Sequence, residues 1–429
     1  MNEEFLHFIY RFKLWANNNC YLTTGQKFEI IDTGIYNRDS GPDFFNAKIK
    51  IGDTVFVGNV EIHINASDWY NHGHEKDKAY NNVILHVVFN DNRKVYINKR
   101  ELPTWEIKFS HLLFNKYAEF KLNESDIPCY EYISLVDDFK SKMWFDKMAI
   151  ERLEDKVSFY DDILKKSSGD FEQIVYLSLA KSFGFGINSD AFYNLAYTTP
   201  LNIVKHYTGN KNLLEALFFG QSGLLEDAIT DNYVIDLKKS YDFLVQKFNI
   251  FPINSSNWKH SRIRPSGNPY MRIAQFVSVM SEFGRFVHLI SKNEIDFKEI
   301  KNFFNVVVSD YWKNHYIPGK VSENVKYKLG NEAVNSVIIN AVIPMLFLWQ
   351  KYYNPNYDPE TILDFLKSLK PENNRITREW ERLDVVAKNS YESQAIINLK
   401  KNYCDNKRCL RCNIGYEILS KIHKIDFNG

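Results

Sequence analysis

The stretch from Gly41 to Phe89 constrains the chain more than any other. Apolar and polar residues alternate through much of it, the two-residue period of a sheet with one covered face. Phe44–Ile51 reads as a strand, Gly52-Asp53 as a tight turn, and the residues after it as the returning strand. A polar loop, Asn65 to Lys76, separates this hairpin from the apolar run Val83 to Phe89, the pattern of a buried strand. The same stretch holds Asp43, Glu61, His63, Asp68, His72, His74, Asp77 and His86. Carboxylates and imidazoles concentrated on a small sheet make a candidate metal site.

The alternation also sets which of these side chains share a face. Ala47, Ile49 and Ile51 are odd-numbered, as are Val55 and Val57 beyond the turn, but Val60, Ile62 and Ile64 are even. A parity change at Gly58-Asn59 is what the extra residue of a β-bulge produces. With that bulge, Glu61 and His63 fall on the polar face that carries Lys48 and Lys50, and Asp43 stands at the end of the hairpin. His86, inside an apolar strand, reads as a core histidine. A competing metal group uses the loop: His72, His74 and Asp77, joined by His63, a set that suits Zn²⁺ or Mn²⁺ better than Mg²⁺.

Around this stretch the chain changes character. Phe5, Leu6, Phe8, Ile9, Phe12 and Trp15 form a helical stripe suited to pack on the sheet. From about Phe139 onward apolar residues recur every three or four positions among many charges, and the pattern stays helical to the end. The reading is an α+β protein with an α/β domain over residues 1–125 and a large all-helical domain over residues 135–429. The apolar run Ala333 to Trp349 is broken by Asn335, Asn340 and Pro344, and reads as a buried helix rather than a membrane span. A formal net charge of +1 excludes a global pull on nucleic acid, so any such binding rests on a local patch. The loop Trp258 to Arg272 offers one: Lys259, Arg262, Arg264 and Arg272 interleave with Trp258 and Tyr270, able to hold phosphates and stack bases of DNA or RNA.

Cysteine usage points to the cytoplasm, because the five cysteines do not form a secreted disulfide framework. Cys404, Cys409 and Cys412 have the spacing of soft-metal ligands, for zinc or an iron–sulfur cluster. A fourth ligand is needed, and His423, Cys129 and Cys20 are the candidates. One upstream cysteine with three near the C-terminus is similar to nucleases whose ends are stapled by an iron–sulfur cluster.

Gly41-Pro42-Asp43 followed by Glu61-Ile62-His63 resembles the PD-(D/E)XK nuclease-like superfamily. The resemblance implies a restriction-endonuclease-like core in which Asp43, Glu61 and the Ile62 carbonyl hold Mg²⁺ or Mn²⁺ for hydrolysis of nucleic-acid phosphodiesters. His63 stands where that superfamily has lysine, so either His63 acts as base or ligand, or Lys48 supplies the cationic group. The departure also admits an alternative, an inactive nuclease fold kept for binding or scaffolding. More broadly, LTTGQKFEIIDTG, NRDSGPDFFNA, GNVEIHINASDWYNHGH, NVILHVVF, LFFGQSGLL, WKHSRIRPSGNPYMRIAQ and YCDNKRCLRCNIG resemble the bacterial domain of unknown function 2851 family, which implies a bacterial cytoplasmic setting and no particular activity.

Overall fold

The computed structural model describes residues 1–16, 20–226, 231–292, 294–354 and 358–428. Its first helix, α1 (Glu3–Arg11), starts where the Asn2 side chain accepts the Phe5 amide, and it buries Phe5, Leu6, Phe8 and Ile9. Five strands follow: β1 (Cys20–Tyr21), β2 (Lys27–Asp32), β3 (Ile35–Tyr36), β4 (Phe44–Ile51) and β5 (Thr54–Asn65). A crossover that begins with the single turn α2 (Asp68–Asn71) leads to β6 (Val83–Asn90). The small hairpin of β7 (Tyr96–Ile97) and β8 (Arg100–Glu101) precedes β9 (Thr104–Glu106) and helix α3 (His111–Leu122). The seven-stranded sheet has the order β1-β2-β4-β5-β6-β9, with β3 also paired to β4. Its first half is antiparallel, while β5, β6 and β9 run parallel.

The hairpin carries a register slip, but not where alternation in β5 places it. Phe44 pairs with Val60 and Ala47 with Gly58, so three steps on β4 match two on β5. The extra residue therefore belongs to β4, where Asn46 takes φ 56° and its amide donates to Asn59 Oδ1 at 3.3 Å. The parity of β5 misleads because Thr54 to Val57 are exposed on both faces, so their apolar side chains report no core.

Chain topology divides the protein into two units, Met1–Trp144 with Leu399–Gly429, and Phe145–Asn398. The boundary that composition puts near residues 125–135 falls later, and the last helices return to the sheet-bearing unit. In that unit Phe5 stacks on Tyr117 of α3 at 5.1 Å, with the edges of Phe109 and Phe114 closing the cluster. A second apolar group, Ala66, Trp69, Tyr80, Val83, Val88, Val95 and Leu102, lies under the crossover.

The inserted unit is helical apart from the short hairpin of His315–Ile317 with Lys320–Val321. Side chains of Asp170, Asn210, Asp231, Asn268, Asp296 and Asp358 cap helix starts by accepting amides of the first turn. Tyr176, Phe183, Phe192 and Phe218 gather around Phe276 in its core. The helical stretch Asn331–Tyr353 is long and apolar enough to cross a membrane, with mean hydropathy 1.6, and 67% of its apolar window is buried. It passes through a π-helical turn, Ile338–Val342, just before Pro344, whose ring cannot continue the regular ladder.

Candidate metal centre

Glu61 and His63 lie two residues apart on β5, so they leave the same face of the sheet, and both are buried. His86 stands opposite Glu61 on the parallel neighbour β6. The crossover between these strands returns to the same place. Asp68 opens α2 and accepts the Asn65 amide at 3.0 Å, fixing the turn. His72 ends α2, and Gly73, at φ 75°, turns the chain so that His74 rises beside it. His74 stacks on Tyr80 at 3.8 Å and meets the edge of Trp69, which holds its ring in place.

Ligand atoms of His63, His72 and His74 lie within 4.8 Å of one another. His63 Nε2 is 3.2 Å from His72 Nδ1, and Glu61 Oε1 is 3.2 Å from His74 Nε2 and 3.5 Å from His63 Nε2. Burial, and then the charges that His86, His74 and His72 would carry, push His63 down to about 2. Burial likewise lowers His86 to about 3. Both rings are therefore neutral near pH 7, each with one donor and one acceptor nitrogen. His63 Nδ1 lies 2.9 Å from His86 Nε2, and His86 Nδ1 has no hydrogen-bond partner. Two tautomeric chains satisfy this contact. In one, protons point from His86 through His63 to His72. In the other they point the opposite way, and His63 Nε2 is left bare toward Glu61, His72 and His74. In that second arrangement His63 Nε2 has its lone pair free of a proton of its own, and His72 offers its Nδ1 lone pair to the same point once its proton sits on Nε2 instead, as a borderline cation requires, with His86 holding His63 from behind.

The structure also brings Asp43 and Glu61 together. The Asp43 amide donates to Glu61 Oε2 at 3.2 Å, and the Ile62 amide donates to Asp43 Oδ2 at 2.9 Å. Burial, then the Asp43 charge, raises the Glu61 carboxyl well above the usual carboxylate range. His7 Nε2 lies 3.2 Å from Asp43 Oδ2. Burial alone would lower His7, but the hydrogen bond and charge of Asp43 outweigh it and raise the ring's affinity for a proton. Glu3 lies one helical turn earlier on α1, and burial raises its carboxyl against the nearby His72 and His7. The reading of the Gly41–Phe89 stretch missed this helix. Its signal is the pair Glu3 and His7, four apart on a face otherwise apolar.

Other residues singled out from sequence stand elsewhere. Lys48 is exposed and pairs with Val57, four residues from Glu61, or about 13 Å along the strand. Asp77 is exposed and caps the turn Lys78–Tyr80 by accepting the Ala79 amide at 2.8 Å, outside the three-histidine group. In the inserted unit Lys259, Arg262 and Arg264 are exposed. The aromatic residues meant to stack bases are not available: Trp258 and Tyr270 are buried, donating to the carbonyls of Ser222 and Leu224. Arg272 lies over the Phe185 ring at 4.0 Å and donates to Gln275 at 2.9 Å, and burial lowers it to about 10. Cys404, Cys409 and Cys412 are buried in the sheet-bearing unit, as is Cys129.

Next to His7 opens a shallow cleft lined by Glu4, Tyr36 and three exposed arginines, Arg11, Arg38 and Arg411. Arg11 lies over the rings of Phe12 and Tyr36 at 5.0 and 5.4 Å, and Arg411 pairs with Glu4 at 2.9 Å. Arg38 exerts enough like-charge pressure to be, after burial, the main cause lowering Arg11. Guanidinium groups gathered at such a cleft suit a phosphate or carboxylate.

No curated protein and no solved structure matches the chain. The family model described as "Protein of unknown function (DUF2851)" matches residues 3–375, which takes in the whole sheet and the histidine centre but stops short of the C-terminal cysteines. The chain belongs to that family.

Proposed function

We propose that the sheet-bearing unit is a metal-dependent phosphodiesterase of the restriction-endonuclease-like kind, acting on nucleic acid in the cytoplasm. The observation that carries this reading is the convergence of His63, His72, His74 and Glu61 on one point beside an arginine-lined cleft. Three imidazoles and a carboxylate fit Mn²⁺ or Zn²⁺ better than Mg²⁺. Such an ion, when bound, acidifies a water and offsets charge on a phosphate. The protein's own groups do the rest. His86 fixes the tautomer of His63, Asp43 holds His7 toward its charged form, and Arg11, Arg38 and Arg411 hold flanking phosphates. His7 thereby takes the cationic role that the family resemblance assigns to lysine. The antiparallel hairpin followed by a parallel strand, with Asp43 and Glu61 at one end, supports the nuclease-like core.

One observation favours the second reading, a binding or scaffold protein on a degenerate nuclease fold: His63 holds the lysine position while Lys48 lies far along the strand. The test is metal analysis of the purified protein, followed by cleavage of labelled DNA and RNA across Mn²⁺, Zn²⁺ and Mg²⁺. His72→Ala and Glu61→Gln are each expected to weaken metal binding by roughly 10–100-fold, as loss of a ligand or its support does. Cleavage should fall by roughly 10²-fold or more. A bound metal with no cleavage under any condition selects the binding reading, and absence of a metal that His72→Ala can release overturns both the centre and the enzyme.

A further inference from the structure

Arg152 and Lys156 lie four residues apart on the long helix Asp138–Lys166, so both leave one face of it. Like charges at that spacing repel, and on a solvated face they would turn away from each other. Here both turn to the same atom. Gln394, buried on the helix Ser390–Asn398, accepts Arg152 Nε at 2.6 Å and Lys156 Nζ at 2.8 Å through one amide oxygen, Oε1. Lys156 Nζ also donates to Asn340 Oδ1 at 2.9 Å. Asn340 stands in the π-helical turn Ile338–Val342, and its side-chain nitrogen donates to the Ser336 carbonyl at 2.8 Å, which fixes its oxygen toward the lysine. A π-turn interrupts the regular ladder, and such turns gather at functional sites.

Two cations thus converge on neutral amide oxygens. Glu372 meets them only at one remove, since its carboxylate accepts the other end of Gln394, the Nε2 amide. Asp155 also acts on Arg152, but it is exposed, so water screens it. Among the described residues Arg152 forms no ion pair, and its two terminal amino groups have no hydrogen-bond partner. With its Nε held by Gln394, the guanidinium is fixed in place while its outer edge stays open. That edge and Lys156 line a small cavity walled by Leu153, Ile339, Ile343 and Leu366. Ile339, Ile343 and Leu366 are buried in the core of this unit.

We infer that this cavity binds a small aliphatic carboxylate, gripped at its charged end by Arg152 and Lys156, with its tail among Leu153, Ile339, Ile343 and Leu366. The planar guanidinium presents paired N–H groups to the two oxygens of a carboxylate, and lysine adds a point charge beside it. Aliphatic walls around a few placed polar groups are the usual make-up of a small-molecule site. A phosphate fits less well, because its second charge would be desolvated against hydrocarbon. The cavity lies wholly within Phe145–Asn398 and owes nothing to the histidine centre, which belongs to the other unit.

The experiment titrates the full chain with acetate, propionate and butyrate by calorimetry and equilibrium dialysis, with chloride as the competing ion. Saturable binding is expected, tightening by about fourfold for each methylene that enters the cavity. Arg152→Gln is expected to weaken butyrate binding by at least about tenfold, the loss of a charge-assisted contact. Arg411→Ala, in the arginine-lined cleft of the other unit, keeps it. Folding of each variant is checked by circular dichroism, and the dependence on tail length in the unaltered protein decides the matter should Arg152→Gln fail to fold. No saturable binding, equal affinity for acetate and butyrate, ready displacement of butyrate by an equal concentration of chloride, or full binding in folded Arg152→Gln overturns the assignment. Neither variant touches the histidine centre, so the two sites are judged separately.

Discussion

Glu61 is the residue at which two half-sites meet: one carboxylate oxygen faces the Asp43 amide, the other faces His74 and His63. Its place and that of Asp43 were legible from hairpin spacing, because a strand fixes side-chain direction every second residue. The role of His86 was only half legible. An apolar strand announces burial, and His86 is indeed fully buried, but pattern alone does not announce the imidazole that faces it from β5. The buried pair has a consequence for acid stability. His63 and His86 bind protons in the folded state only near 2 and 3, whereas the unfolded chain binds them from about 6.5 downward. Below that pH the unfolded state holds more protons, so stability falls as pH falls. Chelator-treated protein is expected to lose up to about 1.4 kcal/mol per pH unit for each histidine between pH 6 and 4. Urea titrations at successive pH values check this against His86→Asn, which should flatten the slope; equal slopes would mean that His86 is not held neutral.

Among the elements, the β4–β5 hairpin shows how far alternation carries and where it stops. The limits of β4 and the Gly52 turn follow from pattern and turn chemistry, but the bulge lies across from the glycine rather than at it. Gly58 has a different reason to be glycine. A Cβ there would meet Ile84 Cγ2 at 2.4 Å and the Asn82 carbonyl at 2.7 Å, because β6 crosses so closely. Gly58→Ala is expected to destabilise the sheet-bearing unit by roughly 1–3 kcal/mol, the usual cost of overpacking a well-filled site. Thermal melting followed by tryptophan emission reads this, and an unchanged midpoint would mean that the two strands can separate without cost. Helix α1 escaped functional reading for a related reason. Its apolar stripe dominates, and the contribution of Glu3 and His7 depends on which strand end the helix covers, a tertiary fact.

For the whole chain, periodicity divides sheet from helix well, yet it cannot tell which unit a late helix serves. Asn413–Asn428 has the same kind of pattern as the helices of the inserted unit, but it packs on α3 and on the turn that Cys129 begins. Removing residues 399–429 is therefore expected to cripple the sheet-bearing unit while sparing the helical one. Limited proteolysis of the shortened chain should yield a resistant fragment close to residues 145–398 and degrade the sheet. Survival of the sheet, with intact metal binding, would show that the return is dispensable.

That insertion also imposes a timetable on synthesis. The sheet leaves the ribosome first and its final helix last, with the whole of Phe145–Asn398 made in between. At roughly 5–20 residues per second the wait is on the order of 15–60 s. During it the N-terminal segment has its strands but lacks the helix Asn413–Asn428 that belongs to its unit. The inserted unit, complete in itself, has the opportunity to fold ahead of the part that begins the chain. A nascent polypeptide of this kind leaves the apolar surface that its last helix covers open for tens of seconds, an interval in which a chaperone can find it.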